Sequence, residues 1–423
     1  MATLHPFRGW RYGSSHKGRL EQLISPPYDV ISESRRREMA AADPHGFVHL
    51  ILPEEGREGD RYRHAAGLLR AWQNEGVLVE DERPAFTLHR QTYDHPEGGR
   101  RTRSGLIGLL PLPAAHDTTV RPHEHTMHGP RDDRRRLMVA TSCQLSPVFL
   151  LAADEDGAIA RLLDRSWSES LSFNDTDGIR HEVELIDDAQ MNQELQSAFA
   201  GTTLVIADGH HRYESARACR DQLAARQGAD DAMVARAGLV LAEVVSMASP
   251  GLSVLAFHRT VRDLAGFDLQ GWRDRLASRH RLEPMSGVEI PDLMEHLATA
   301  PRGSFGLALA TEPHLYILTM AEGEASDSPV DHLDVARLHG TILAAELGLD
   351  EEAVAAGKVG FHRDAVAALA EVRAGRSQVA FLLRPTPMED LLKVTAAGLR
   401  MPQKSTNFYP KVPAGLVLHS FAA

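Results

Sequence analysis

The sequence predicts an α+β fold, mixed sheets with flanking helices, on three observations. Short apolar runs rich in β-branched residues, such as Thr203–Ala207 and Leu239–Ser246, read as strands. Amphipathic stretches such as Asp60–Asn74 place Ala65, Leu68, Leu69 and Trp72 at the three-to-four spacing of a helix face. The two kinds of element alternate without the regular spacing of a parallel βαβ array.

Along the chain, Phe86–Tyr93 and Ser104–Leu110 read as strands joined by the turn His95-Pro96-Glu97-Gly98-Gly99, and Gln144–Ala152 as one further strand. A helix is expected over Tyr213–Arg226, with Gly228 as its stop. Beyond about residue 262, helices are expected at Gly271–His280, Asp292–Thr299, Asp334–Leu347, Arg363–Ala374 and Met388–Ala397. Strands are expected there at Phe305–Ala310, Leu315–Met320 and Ser377–Leu383. These define a motif-bearing nucleotide-binding or catalytic domain, 1–260, and a C-terminal α+β domain, 261–423, that returns a Lys-Ser-Thr loop toward the site.

The chain has 423 residues, enough for two or three domains, with 43% hydrophobic and 25% charged residues, a globular composition. A formal charge of −12 argues against a nucleic-acid partner held by whole-surface charge. With two cysteines no disulfide framework is expected. No apolar run is long enough to span a bilayer, and Met1–Tyr12 lacks a signal-peptide core, so a cytoplasmic location is expected. A homo-oligomer is compatible with the sequence.

Four stretches hold residue types that carry chemistry. The first is Asp208-Gly209-His210-His211-Arg212, between a strand and a helix. Glycine permits a tight turn, and a helix N-terminus offers unpaired amides and a positive dipole end to an anion. Arg212 adds a planar fork suited to phosphate, and His210 and His211 add donors. Capping explains Asp208 and Gly209 but not the three residues after them. As a residue at the mouth, Arg212 is expected to contribute little packing.

The second stretch holds His123, Glu124, His125, His128, Asp133 and Arg134. His123 and His125 at i, i+2 would share one face of an extended segment, a spacing that suits a metal pair, yet nothing further completes a ligand set. Acid–base or substrate-binding work beside a phosphate is the alternative; for most of Arg134–Arg136 a solvated helix face suffices. The third, Lys404-Ser405-Thr406 with Lys411, lacks the glycines of a Walker loop and reads as a proline-stiffened loop presenting lysines and hydroxyls. The fourth, Ser25-Pro26-Pro27-Tyr28-Asp29, fixes an extended approach to a Tyr-Asp pair, with His258-Arg259 a weaker candidate of the same kind.

Together, the segments HPFRGWR, SPPYDVIS, HEHT with DDR, IADGHHRYESA and MPQKSTNFYPK resemble, in order and over essentially the whole chain, the family called domain of unknown function 1015. The Asp208–Arg212 motif is also similar to the signature of free-serine kinases of the ParB/sulfiredoxin superfamily. That likeness covers about a dozen residues and implies a ParB/sulfiredoxin-like nucleotide corner in the N-terminal part. It implies that Gly209, His210, His211 and Arg212 bind nucleotide phosphates and that Asp208 or Glu214 positions a metal or substrate. The same kinases use a glutamate as base, for which Glu124 and Asp29 are the candidates, and His211 stands beside them as a catalytic candidate.

The expected function is a phosphotransferase using ATP or ADP with Mg²⁺ on the hydroxyl of a small metabolite, serine or a related hydroxy acid. His123, Arg134, Lys404, Ser405, Thr406 and Lys411 would complete its binding set. A nucleotide-gated binding module without kinase activity, and a metal-dependent hydrolase using His123, His125, His210 and His211, are the alternatives.

Overall fold

The computed structural model describes residues 3–56, 59–96, 98–113, 117–126, 128–165, 171–264, 266–321 and 326–422. Two units emerge, neither contiguous in sequence: Met1–Pro122, Thr126–Leu252 and Pro410–Ala423 form the first, His123–His125 and Ser253–Tyr409 the second.

The first unit is built on an eight-stranded mixed sheet. Its strands are β1 (Phe86–Asp94), β2 (Arg100–Pro111), β3 (Val120–Arg121), β4 (Val148–Ala152), β5 (Leu171–Asn174), β6 (Arg180–Ile186), β7 (Leu204–Asp208) and β8 (Leu239–Ser246). They lie in the order β3-β7-β4-β8-β2-β1-β6-β5. β7 runs parallel to β3 and β8 parallel to β4, while the remaining pairs are antiparallel. The four longest helices of the unit among the described residues are α1 (Arg61–Asn74), α2 (His128–Thr141), α3 (Ala189–Phe199) and α4 (His210–Ala224). Asp60 caps α1 by accepting from the amides of Tyr62 and Arg63.

Strand alternation sorts the core into two layers. Leu106, Leu110 and Ile206 pack with Leu195 and Phe199 of α3 and Tyr213, Ala216 and Leu223 of α4. Ile107, Leu109 and Leu241 face the other way, against Leu69 and Trp72 of α1 and against Ala414, Leu416 and Val417 of the C-terminal segment. Each such large apolar side chain contributes roughly 1.5–3 kcal/mol when fully buried.

The second unit carries a wholly antiparallel six-stranded sheet of β9 (His258–Val261), β10 (Arg281–Met285), β11 (Ser304–Leu309), β12 (Leu315–Thr319), β13 (Val359–His362) and β14 (Val379–Leu382). The order is β10-β12-β11-β14-β9-β13. Ile290, Leu293 and Leu297 of one helix and Ala365, Ala368, Leu369 and Val372 of another bury against Ala308, Ile317 and Leu382.

The α+β class with mixed sheets holds, and several expected boundaries shift for physical reasons. The strand expected over Gln144–Ala152 is two pieces, Cys143–Gln144 and Val148–Ala152, because Pro147 has no amide to extend a ladder. The helix expected from Tyr213 starts three residues earlier, at His210, so the two histidines and Arg212 lie in its first turn. The helix expected over Asp334–Leu347 begins as a single α-turn, Asp334–Arg337, and continues as a π-helix, Leu338–Ala344. Of the turn expected at His95–Gly99, Glu97 lies outside the described residues. The hairpin β5–β6 and helix α3 have no counterpart in the sequence reading, and of α2 only the helix face at Arg134–Arg136 has one. No helix among the described residues is long and apolar enough to cross a membrane.

One close approach pins β1 and β2 to the turn after β8. Tyr93 Oη donates to the Gly251 carbonyl at 2.8 Å, and a Cβ on Gly251 would lie 1.9 Å from the Thr102 carbonyl oxygen. Gly251→Ala is therefore expected to destabilise the protein by roughly 1–3 kcal/mol or more, as overpacking against backbone does, read as a lower denaturation midpoint.

Candidate functional site

In the first unit β7 ends at Asp208, and Gly209, at φ 90°, turns the chain directly into α4. That left-handed conformation favours glycine, and a Cβ there would also stand 2.9 Å from the Arg212 guanidinium. Gly209 is the N-cap and brings no side chain to accept from the first amides of α4. Asp208, considered as a cap, does different work. Its Oδ2 accepts from Arg212 Nη2 at 2.6 Å and its Oδ1 from Lys411 Nζ at 2.7 Å. The corner is thus a carboxylate clasped by two cations.

Arg212 is buried at 6% exposure and also donates from Nη1 to the Pro147 carbonyl. It is a strut rather than a loose fork at a mouth, which corrects the expectation that it contributes little packing. His210 is buried and His211 half-buried beside it. Glu214 lies one turn along α4, 3.7 Å from Arg217, and lines a groove of ≈ 360 Å³ with His128 and Arg131. Lys411 is held at both ends, since its carbonyl accepts from Gln91 Nε2 at 3.0 Å.

Arg134, on α2, is buried with its donors directed at Asp133 and the Ile51 carbonyl, and its guanidinium sits 4.2 Å from the Tyr28 ring centroid. Burial, with Asp29 and Asp208 adding to it, pushes the Tyr28 phenol up to about 12, against Arg134 and Arg212. Tyr28, Arg134 and Arg212 line a cavity of ≈ 30 Å³ with Gln144 and Ser146. This is room for water and not for a nucleotide. Asp29 is exposed, in the single 3-10 turn Tyr28–Val30.

The second unit brings together two other stretches. Glu124 bridges Met401, and its Oε1 accepts from the Ser405 amide at 3.2 Å. His123 Nε2 lies 2.9 Å from Thr406 Oγ1 and 3.7 Å from Glu124 Oε1. Lys404, at φ 57°, takes a left-handed conformation uncommon for a side chain with a Cβ. Arg259 holds that turn: fully buried, it donates to the carbonyls of Phe257, Gln403 and Lys404, and lies 4.8 Å from the Phe361 ring centroid. Burial pulls the Arg259 guanidinium down to about 9, with the charge of Glu124 opposing. Lys404 Nζ stands 5.5 Å above the Phe257 ring. The shared face expected of His123 and His125 does not form, because His123 is buried against Thr406 while His125 is exposed. Among the described residues no group of three or more His, Cys, Asp or Glu side chains could hold a metal ion.

Sequence reasoning missed a buried polar row on the first unit's sheet: Gln91, His89, Arg103, His181 and Glu243. Arg103 donates to Gln91 and covers Phe149 at 4.5 Å, while its Nε and Nη1 have no partner among the described residues. Burial lowers its guanidinium, opposed by Glu243, Tyr93 and Asp208. Polar residues at every second position of β1, at Thr87, His89 and Gln91, read as the solvated face of an ordinary strand, so the sequence carried no signal of their burial.

Residues 4–336 match the protein family described as "Protein of unknown function (DUF1015)", and the chain belongs to it. No curated protein matches the sequence. Among solved structures, the chain is similar to a free serine kinase in complex with AMP, at 13% identity and a TM-score of 0.36, over 74% of this chain and 91% of that one. A mutant free serine kinase in complex with ADP is similar at 12% identity and a TM-score of 0.37, over 74% and 92%. SbnI with a C-terminal truncation, from Staphylococcus aureus, is similar at 13% identity and a TM-score of 0.36, over 74% and 87%.

Arg212→Ala leaves the Asp208 carboxylate short of one cation and the Pro147 carbonyl short of its donor. A loss of about 3–5 kcal/mol in chemical denaturation is expected, and an unchanged midpoint would mean the guanidinium is not the strut described.

Proposed function

We propose that the protein is a phosphotransferase that uses ATP or ADP to phosphorylate the hydroxyl of a small metabolite, with serine or a related hydroxy acid as acceptor. The observation that carries this reading is the α4 corner: a helix start whose cap residue has no side chain, beside an aspartate clasped by Arg212 and Lys411. Such a corner suits an anion, and phosphoryl transfer needs mainly positioning and charge neutralisation.

In this reading the amides at Gly209, His210 and His211 receive phosphate oxygens, and Lys411 transfers part of its interaction from Asp208 to them. Arg212 keeps Asp208 aimed at the corner. His123, Lys404, Ser405 and Thr406 are the binding candidates within the second unit, and Arg134 acts by holding Tyr28 rather than by touching ligand. Asp208 or Glu214 would help position Mg²⁺, whose chemistry there is neutralisation of phosphate charge; such an ion needs only one or two protein carboxylates. Glu124, oriented by the Ser405 amide, or the exposed Asp29 is the base toward the acceptor hydroxyl. His211 is the further catalytic candidate.

A thermal-shift series with ATP, ADP and AMP, with and without Mg²⁺, is expected to show stabilisation in the wild type and its loss in Lys411→Ala. Phosphorus NMR with serine and a panel of hydroxy acids is then expected to show a phosphomonoester. No shift with any nucleotide would overturn the reading; a shift without transfer would leave a nucleotide-gated binding module.

A further inference from the structure

The polar row of the first unit ends in a chain of four side chains that the proposed chemistry does not use. Glu243 on β8 reaches across β2 to His89 on β1, and the residue between them is Gly105, where a Cβ would stand 2.6 Å from Glu243 Oε1. Glu243 Oε2 lies 2.9 Å from His89 Nδ1, His89 Nε2 lies 2.9 Å from His181 Nδ1, and His181 Nε2 lies 3.1 Å from Asp175 Oδ2. The imidazoles are parallel at 5.2 Å between centroids, and Phe173 covers His181 at 5.0 Å. Glu243, His89 and His181 have side-chain exposures of 1% or less, whereas Asp175, in the turn between β5 and β6, is 16% exposed.

Counting protons fixes the charge of this chain. Each of the three contacts needs one proton between its two heavy atoms, two neutral imidazoles carry two, and ionised carboxylates carry none. The array therefore holds one proton more than its neutral rings supply. The Arg103 guanidinium is near enough to Glu243 to feel its charge. Burial disfavours a charged His181, with Asp175 opposing. Either imidazole can carry the extra proton with all three contacts kept, so the charge belongs to the His89–His181 pair. Other charged groups nearby are already engaged: Arg35 bonds Asp177 in the same turn, Arg180 pairs with Glu182, and Arg11 bonds Asp81 and the Thr87 hydroxyl.

We propose that these four residues form a proton-operated latch that fastens the edge hairpin Leu171–Ile186 to the sheet. β5 is the outermost strand and β6 the next, so the backbone ladder of the hairpin joins the sheet along one side only, through β6 on β1. With the extra proton all three contacts are hydrogen bonds. When the pH rises through the point at which the array gives that proton up, two protons serve three contacts, one contact sets lone pair against lone pair, and the hairpin loosens. A second added proton sets N–H against N–H between the rings, so the latch also opens in acid. Its stabilisation is thus confined to a middle range and is lost on both sides. The proposal does not depend on the phosphotransferase reading.

The test combines ring-nitrogen NMR with amide hydrogen exchange on the full chain, from about pH 6 to 10. In the wild type the His89–His181 pair is expected to carry one extra proton at about pH 7, and protection of 171–186 should fall about tenfold or more at the alkaline end while α1 stays protected. Asp175→Asn keeps the turn, since Oδ1 can still accept from the Asp177 and Ile179 amides. Its Nδ2 can donate to His181 Nε2, after which two neutral imidazoles satisfy every contact. Both rings should then be neutral and the alkaline loss should vanish. If that variant does not fold, Glu243→Gln imposes the same count from the other end. Two neutral rings in the wild type, or an equal alkaline loss in wild type and variant, overturns the proposal.

Discussion

The corner after β7 depends on one carboxylate. Asp208 accepts from Arg212 on one oxygen and Lys411 on the other, and three local features follow from that arrangement. Gly209 must lack a side chain because the returning guanidinium occupies its space. α4 starts at His210 because a left-handed residue turns the chain at once. Pro147 breaks the expected strand before β4 and leaves a carbonyl for the second half of the same guanidinium. An ion cluster this well buried is stabilising only while complete, because each member is the counter-charge of another.

Buried arginines do comparable work in both units. Arg134 ties the Ile51 carbonyl and supports Tyr28, Arg212 ties Pro147, and Arg259 ties three carbonyls around the Lys404 turn. A guanidinium satisfies several irregular backbone acceptors at once from a fixed plane, which a lysine cannot do. Loops without helix or ladder partners are thereby held with their carbonyls satisfied.

Much of the architecture was legible in sequence, since strong periodicity survives tertiary context: α1, β1, β2 and β8 lie nearly where expected. The corner was legible as an unusual residue cluster, but its internal logic was not. Arg212 looked like a ligand fork because sequence shows spacing and not direction, and its direction is set by Pro147, 65 residues away. The histidine pair at 123 and 125 failed similarly, because Thr406 and not the strand period decides which imidazole is buried. His89, His181 and Glu243 were invisible for the opposite reason. They sit on β1, β6 and β8 and acquire meaning only when these strands and β2 lie in one sheet, with Gly105 leaving the gap.

The composition of the first unit bears on how the molecule is made. Pro410–Ala423 belongs to that unit although 157 residues of the other, Ser253–Tyr409, intervene in the chain. During synthesis the sheet face of Ile107, Leu109 and Leu241 is therefore left without Ala414, Leu416 and Val417 until a whole second unit has been translated. Lys411 arrives equally late, so Asp208 and Arg212 wait as an incomplete pair. The nascent chain must carry an uncovered apolar face for that interval, the circumstance in which chaperones engage.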